Sequence, residues 1–260
     1  MIFAMNARQL MASVVALGAM LTFGAAACGT ESSHADTPKV GQQADARPEL
    51  AAAARGITEQ SFRLTLEKAG ISGKGVADPR TRTGTMIVDF PKTGRQLFVT
   101  VFEDDVYFSE LGVPGVSFKT SFRLPRSKVP AGSYLDVMPN DDPSGSHRLV
   151  DAVVSVRRDG GGPANGRHLF TGTIDLMATS YADENLRHEF GDKLKAVPFT
   201  AAVDDGGRLV EFVIALDTLA PKLGKVRAAW SDFGLQTNPK RQEPSQPTGD
   251  VHGLLQALES

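Results

Sequence analysis

Apolar and polar residues alternate along much of the chain between residues 62 and 216. The ranges 62–66 and 86–90 place an apolar side chain at every second position, which is the period of a half-buried β-strand. Less regular stretches of the same character follow at residues 97–102, 106–108, 152–156, 169–177, 199–203 and 209–216. Turns rich in Asp and Gly separate neighbours, for example Asp204-Asp205-Gly206-Gly207. Strands joined by such short turns predict an antiparallel sheet.

Two stretches have helical rather than strand periodicity. Residues 50–55 form an alanine-rich segment that predicts a short helix ending at Gly56. Residues 186–194 carry leucine and phenylalanine at four-residue spacing, so one apolar stripe faces a sheet. Ser180, with Asp183 three residues later, predicts a capping box in front of that helix. Together the patterns predict an α+β fold.

The first residues of the chain have the layout of a secretory signal. Arg8 is followed by an uncharged apolar stretch from Leu10 to Phe23, and then by small residues up to Ala27. A basic start, a short apolar run and a small-residue cleavage site define such signals. A retained membrane anchor is the alternative, since the uncharged run reaches the lower length limit of a spanning helix. We expect residues 1–27 to be removed.

Cys28, the single cysteine of the chain, stands directly after the expected cleavage site. Ala25-Ala26-Ala27-Cys28 resembles the bacterial lipobox, in which the cysteine receives a diacylglycerol and, as the new N-terminus, a further acyl chain such as palmitate. The pattern departs at its first position, where the lipobox prefers Leu. The alternative is a free thiol in an oxidising compartment. We expect lipidation at Cys28, which places the protein on the extracytoplasmic face of the cell membrane.

Polar segments flank the expected domain. Residues 29–49 hold too few large apolar side chains to fold alone and predict a flexible tether of about 25 Å. Residues 239–250 are rich in proline and polar side chains, and residues 251–260 have helical apolar spacing. The predicted organisation is therefore a signal at 1–27, a lipidated tether at 28–49, a domain at 50–238, and a linker with a short helix at 239–260.

The sequence offers no pattern of catalytic or metal-binding residues. No two of the five histidines have metal-ligand spacing, and the pairs of neighbouring aspartates occur where turns are expected. "GISGKG" at residues 70–75 lacks phosphate-loop spacing and predicts a turn between two strands. No Gly-x-Ser-x-Gly elbow is present. We therefore expect no catalytic residue, no metal site and no cofactor, and a protein that is not an enzyme.

Charge excludes one further class of partner. The net charge is −2, and no block of basic residues is present. The sequence therefore predicts no binding to nucleic acid.

A set of segments in fixed order resembles a known family. After the lipobox and the tether come "SFRLTLE", then "DAVVSVRRDGGGPANGRHLFTGTIDL", "VPFTAAVDDGGRLVEFVIAL" and finally "AWSDFG". In that order they resemble the LppX/LprG-like lipoproteins of actinobacteria over roughly residues 61–234. The departures are the lipobox, the residues Phe199-Thr200-Ala201 and the long C-terminal tail.

The resemblance implies a half-barrel similar to that of the LolA/LolB carriers. In this shape a curved antiparallel sheet wraps around a few helices and leaves an apolar cavity. Proteins of this family bind lipids or acylated glycolipids there and carry them between membrane layers. We therefore expect a membrane-anchored lipoprotein of the cell envelope that binds a lipid or glycolipid. Whether it also has an envelope transporter as a partner is left open by the sequence.

The residues themselves leave alternatives beside this expectation. Leu64, Leu97, Val99 and Val101 are strand residues that could line such a cavity, or they could fill a packed core. A packed core would favour a lipid-anchored module that docks a protein partner and has no small-molecule ligand. An envelope enzyme would require a buried polar cluster with perturbed carboxylates.

Overall fold

One open antiparallel sheet organises the chain. The computed structural model describes residues 45–111, 121–130, 132–160 and 166–241. The expected signal, Cys28, most of the tether and the C-terminal segment 242–260 lie outside these ranges. The eleven strands are β1 (Phe62–Lys68), β2 (Ile71–Asp78), β3 (Thr83–Phe90), β4 (Arg95–Val101), β5 (Asp105–Leu111), β6 (Phe122–Pro125), β7 (Val153–Arg158), β8 (Arg167–Ile174), β9 (Val197–Asp204), β10 (Leu209–Ile214) and β11 (Val226–Ser231).

The order of the strands across the sheet is β6-β5-β4-β3-β2-β1-β11-β10-β9-β8-β7. Two antiparallel meanders, β1–β6 and β7–β11, are joined where the first strand pairs with the last. Leu64 of β1 lies opposite Trp230 of β11 at this junction. β6 and β7 remain as the two edges, so the sheet is not closed into a barrel.

A few short helices accompany the sheet, which gives the predicted α+β class. They are α1 (Arg47–Ile57), α2 (Ser146–Asp151) and α3 (Glu184–Phe190), with 3-10 turns at Arg126–Lys128, Leu176–Ala178, Gly191–Ala196, Leu216–Thr218 and Pro221–Leu223. Helix α1 begins at Arg47, slightly before the predicted start of the domain at residue 50. Its alanine-rich apolar side contacts α2, β7 and β10, and Leu50 and Ile57 are fully buried there.

Helix α3 begins differently from the prediction. Asp183 is its N-cap, and the carboxylate accepts a hydrogen bond from the backbone N–H of Leu186 at 2.9 Å. The capping box predicted from Ser180 is therefore wrong, because the helix starts three residues later than that pattern assumed. The cap satisfies one of the backbone donors that every helix start leaves free.

The two faces of the sheet differ in polarity, as strand alternation predicts. One face, here called the inner face, carries Phe170, Phe212, Met86 and Val99, all of which are buried in one continuous apolar cluster. The other, outer face carries charged ladders. Arg227 donates to Glu211 at 2.6 Å across two neighbouring strands, and this hydrogen bond raises the pKa of the arginine.

Glycines on the inner face allow strands to approach closely. A Cβ at Gly75 would lie 2.2 Å from the carbonyl oxygen of Thr85 on β3, and a Cβ at Gly172 would lie 1.9 Å from that of Ser155 on β7. Glycine within a strand is typical of a bend or of close backbone contact, which fits a curved sheet. The predicted turn at "GISGKG" includes Gly70, which lies in the turn between β1 and β2 with φ 79°. The rest of the segment, residues 71–75, belongs to strand β2.

Candidate functional site

The inner face is a continuous apolar surface across neighbouring strands. Leu64, Gly75, Met86, Val99 and Phe108 are paired in succession from β1 to β5. The four side chains in this row are at most 5% exposed. A row of this kind either packs against other side chains or contacts an apolar ligand.

An irregular segment covers this face. We call residues 126–152, which connect edge strand β6 to edge strand β7, the cover segment; residue 131 is outside the described ranges. Its regular structure among the described residues is one 3-10 turn and the six-residue helix α2. Because β6 and β7 are opposite edges, the cover segment has to pass from one side of the sheet to the other.

Contacts along the cover segment show that it lies on the inner face. The ring of Tyr134 meets Phe90 edge-on, with 5.0 Å between ring centroids. The sulfur of Met138 lies close to Gly84, near the start of β3, whereas Phe90 is at its end. A Cβ added to Gly84 would be 3.1 Å from that sulfur. The indole N–H of Trp230 donates to the carbonyl oxygen of Ser144 at 3.1 Å.

A cleft of about 180 Å³ lies between the cover segment and strands β4 and β5. Apolar side chains from both sides and several polar groups line it: Val101, Val106, Arg126, Val129, Leu135, Asp136, Met138, Asn140, Asp141 and Arg148. A second gap of about 10 Å³ lies farther along the inner face, between Leu64, Met86 and the cover segment. We call the larger space the Arg126 cleft.

Arg126 is the most buried charged group of the Arg126 cleft, with 8% of the residue exposed. Its guanidinium donates to the carbonyl oxygen of Phe102 at 3.3 Å and to that of Met138. Both partners are backbone groups, and no carboxylate among the described residues forms an ion pair with Arg126. Burial accordingly lowers the pKa of this guanidinium, which nevertheless stays protonated at neutral pH.

Two carboxylates share the cleft with Arg126. Asp136 is half-buried, and its carboxylate accepts a hydrogen bond from the backbone N–H of Gly132 at 2.9 Å. Burial raises the pKa of Asp136. Asp141 is largely exposed and pairs with Arg148 at 2.5 Å, so this pair lies where the cleft reaches solvent.

The four residues predicted to line a cavity occupy different positions. Leu64 borders the 10 Å³ gap, and Val101 borders the Arg126 cleft. Leu97 and Val99 are fully buried in the core and border neither space. Cys28, the predicted lipidation site, lies outside the described residues.

Sequence reasoning missed the groups that give the cleft its chemistry. Neither Arg126 nor the cover segment was predicted to contribute to a site, because residues 126–146 have no strand or helix periodicity and many turn-forming residues. The one available signal was the length of this aperiodic stretch, since loops longer than about 12–15 residues in a compact domain are often functional.

In the described ranges, no three His, Cys, Asp or Glu residues are grouped so that they could hold a metal ion. None of the helices in the described part of the chain is both long and apolar enough to cross a bilayer.

Comparison with known proteins finds similarity among solved structures. No family model matches the chain, and no curated protein matches it. The crystal structure of an uncharacterized conserved protein from Thermus thermophilus is similar, with a TM-score of 0.38 and 13% sequence identity. The match covers 78% of this chain and 98% of that chain. No family and no function follow from a similarity at this level.

Proposed function

We propose that this protein is a membrane-anchored lipoprotein that binds a lipid or an acylated glycolipid non-covalently, for carriage or retention in the cell envelope. The observation that carries the proposal is an open antiparallel sheet whose apolar inner face is covered by an irregular segment. The LppX/LprG-like resemblance implies a curved antiparallel sheet wrapped around a few helices, with an apolar cavity between the layers. The lipobox-like segment ending at Cys28 supports the anchor.

The Arg126 cleft sets a physical condition on this function. Its volume is about 180 Å³, whereas pockets for ligands of drug size span about 300–1,000 Å³. An acyl chain therefore requires the cover segment to move outward, so that the chain replaces buried side chains such as Leu135 and Met138. In this mechanism the described state is the ligand-free, closed state.

The contacts of the cover segment are compatible with such a movement. Its hydrogen bonds to the rest of the domain include separate contacts rather than a strand ladder. Arg126 donates to the carbonyl of Phe102, Trp230 donates to the carbonyl of Ser144, and Ser146 donates to the carbonyl of Ala54 in helix α1 at 3.3 Å. A single hydrogen bond of this kind contributes about 0.5–1.5 kcal/mol. Segments that open readily are those with few cooperative contacts.

Hydrocarbon burial supplies the driving force. A chain of about 16 carbons gains on the order of 10 kcal/mol when removed from water, at about 0.8 kcal/mol per methylene. Extraction from a bilayer yields far less, because the bilayer interior is itself apolar. The free energy of transfer from the bilayer to the protein is therefore close to zero, and supply and removal of the lipid set the direction of transfer.

The direct experiment is lipid analysis of the purified protein. The full-length Cys28→Ala variant, which lacks acyl chains of its own, is purified without detergent and extracted with organic solvent for mass spectrometry. We expect a lipid in stoichiometric amount, and uptake of the fluorescent fatty acid cis-parinaric acid by the delipidated protein. Absence of both co-purified lipid and probe uptake would contradict the function.

A docking module is the second candidate, and the packing of the interior favours it. The inner-face side chains are buried by other protein atoms. Neither the cleft of about 180 Å³ nor the gap of about 10 Å³ is large enough to hold an acyl chain without movement of the cover segment. In this reading the domain holds a protein partner at the membrane and never opens. The same lipid analysis separates the two functions, because a docking module has neither co-purified lipid nor probe uptake.

A further inference from the structure

Arg126 is a buried positive charge that forms no ion pair with a carboxylate among the described residues. Of its five N–H donors, two are used by the carbonyl oxygens of Phe102 and Met138. The other three donors have no hydrogen-bond partner in the described part of the chain. Because an unpaired buried charge is unfavourable, proteins usually give it a counter-charge, either from the chain or from a ligand.

The other charged groups of the cleft do not supply that counter-charge. Asp141 pairs with Arg148 at 2.5 Å. Asp136 accepts a hydrogen bond from the backbone N–H of Gly132, and its carboxylate forms neither a hydrogen bond nor an ion pair with Arg126. Arg126 is therefore the group that a bound anion would meet.

The cleft has room for a small anionic group. Its volume of about 180 Å³ corresponds to about six water molecules at about 30 Å³ each. Asp141 and Arg148, with 71% and 39% of their side chains exposed, lie at its solvent end. Val101, Val106 and Leu135 form an apolar wall inside. The space is thus amphipathic, as a carboxylate or phosphate with its first methylenes requires.

Met138 connects this space to the inner face of the sheet. The same side chain borders the Arg126 cleft and the 10 Å³ gap beside Leu64 and Met86. Methionine is flexible and adapts its shape to neighbouring groups. Displacement of Met138 would join the two spaces into one path from solvent, past Arg126, to the apolar row.

We propose that the Arg126 cleft binds the anionic head group of the ligand, a carboxylate or a phosphate, while the acyl chain passes Met138 onto the inner face. The proposal rests on the lipid-binding function proposed above. Arg126 exchanges its bond to the carbonyl of Met138, which lies within the cover segment, for a charge-assisted bond to the ligand, so head-group binding frees Met138 to move. A guanidinium is well suited to this role because it binds both oxygens of a carboxylate or phosphate.

The experiment compares two probes that differ only in head-group charge. cis-Parinaric acid and its methyl ester are titrated at neutral pH into the full-length Cys28→Ala protein. We expect the acid to bind about 10- to 100-fold more tightly, the range of a hydrogen bond to a charged group. In the Arg126→Gln variant the acid should bind no better than the ester, while the affinity for the ester stays within about twofold, since apolar burial is unchanged.

Arg157→Gln is the matched control. Arg157 lies on edge strand β7, is exposed, and donates to Thr171 at 3.2 Å, so this substitution removes the same charge away from the cleft. It should keep the preference for the acid. If the Arg126→Gln variant does not fold, Arg126→Lys provides the test instead. Lysine retains the charge but lacks the planar fork, so the preference should shrink without disappearing.

Each other outcome overturns the inference at a different level. If acid and ester bind equally and Arg126→Gln changes neither, the head group lies elsewhere although lipid binding stands. If inorganic phosphate alone binds in an Arg126-dependent manner while the acid shows no preference, the cleft takes a free anion and not a lipid head group. If neither parinaric probe binds, the proposed function itself fails.

Discussion

Leu135→Ala tests whether the cover segment is part of the core and also where a ligand enters. Leu135 is 1% exposed, lies in the cover segment and borders the Arg126 cleft. Removing three carbons loses about 2.4 kcal/mol of transfer free energy at about 0.8 kcal/mol per group. An added cavity contribution is small here because the new space joins an existing cleft. We therefore expect a loss of about 2.5–3 kcal/mol in the free energy of unfolding, near the lower end of the measured range for such substitutions.

Leu209→Ala is the matched control within the core. Leu209 is fully buried on β10 and borders neither of the two spaces. Its truncation leaves a closed cavity, so we expect a larger loss of about 3–5 kcal/mol. Urea denaturation measures both values through the fluorescence of Trp230, the single tryptophan of the chain. Trp230 is well placed for this assay because its indole N–H contacts the cover segment.

Ligand uptake by the same variants should show the opposite order. The space left by Leu135→Ala adjoins the Arg126 cleft, so cis-parinaric acid should gain affinity by about 5- to 50-fold, up to the contribution of three buried carbons. Leu209→Ala should leave the affinity of folded protein unchanged. A Leu135→Ala variant that loses less than about 1 kcal/mol, or that gains no affinity over the Leu209→Ala control, would refute the reasoning, because Leu135 would then neither pack in the core nor border the ligand site.

Three further substitutions test other parts of the account. Cys28→Ala should move the protein from the membrane fraction to the soluble fraction, and retention in the membrane would indicate an uncleaved helix instead. The side-chain hydrogen bond from Arg80 is the main cause that lowers the pKa of Asp78 below its ordinary 3.8. The contribution of this pair to stability is complete above about pH 5 and is lost as the pH falls through the folded-state pKa of Asp78. Tm of the Asp78→Asn variant should therefore fall less between about pH 5 and acidic pH than Tm of the unmodified protein. An equal fall in both proteins would show that the Arg80–Asp78 pair does not cause it. Gly75→Ala should cost about 1–3 kcal/mol in thermal or urea unfolding, because its Cβ meets backbone of the next strand. Gly160→Ala, whose Cβ would have no atom of the described residues within 4 Å, should be nearly neutral. Equal effects of the two substitutions would contradict the close strand contact.

Local patterns predicted much of the sheet because each strand buries one face. The alternation at residues 62–66 and 86–90 identified β1 and β3. That Leu64 and Met86 share the inner face follows only from the pairing of β1, β2 and β3 in the structure. Strand β2 was taken for a turn because its glycines are turn-forming residues in isolation. Their role on the inner face depends on the approach of β3, which lies farther along the chain.

The periodicity of apolar residues could not predict features that depend on residues far apart in the chain. The pairing of Leu64 with Trp230 joins strands more than 160 residues apart. The segment "AWSDFG" gave no sign that its first half, residues 229–231, belongs to a central strand. The cover segment has no repeating pattern, so its position over the inner face follows only from where β6 and β7 lie in the sheet. Arg126 became a candidate only when its burial and its backbone partners were known.

Photo-crosslinking tests the central claim, that an acyl chain lies between the cover segment and the inner face of the sheet. A palmitic acid with a diazirine near the end of its chain is bound to the full-length Cys28→Ala protein, irradiated, and mapped by peptide mass spectrometry. We predict adducts on inner-face residues such as Met86 and Val99 and on the cover segment. Adducts on their outer-face neighbours Ile87 and Phe98, or no saturable adduct at all, would contradict the account.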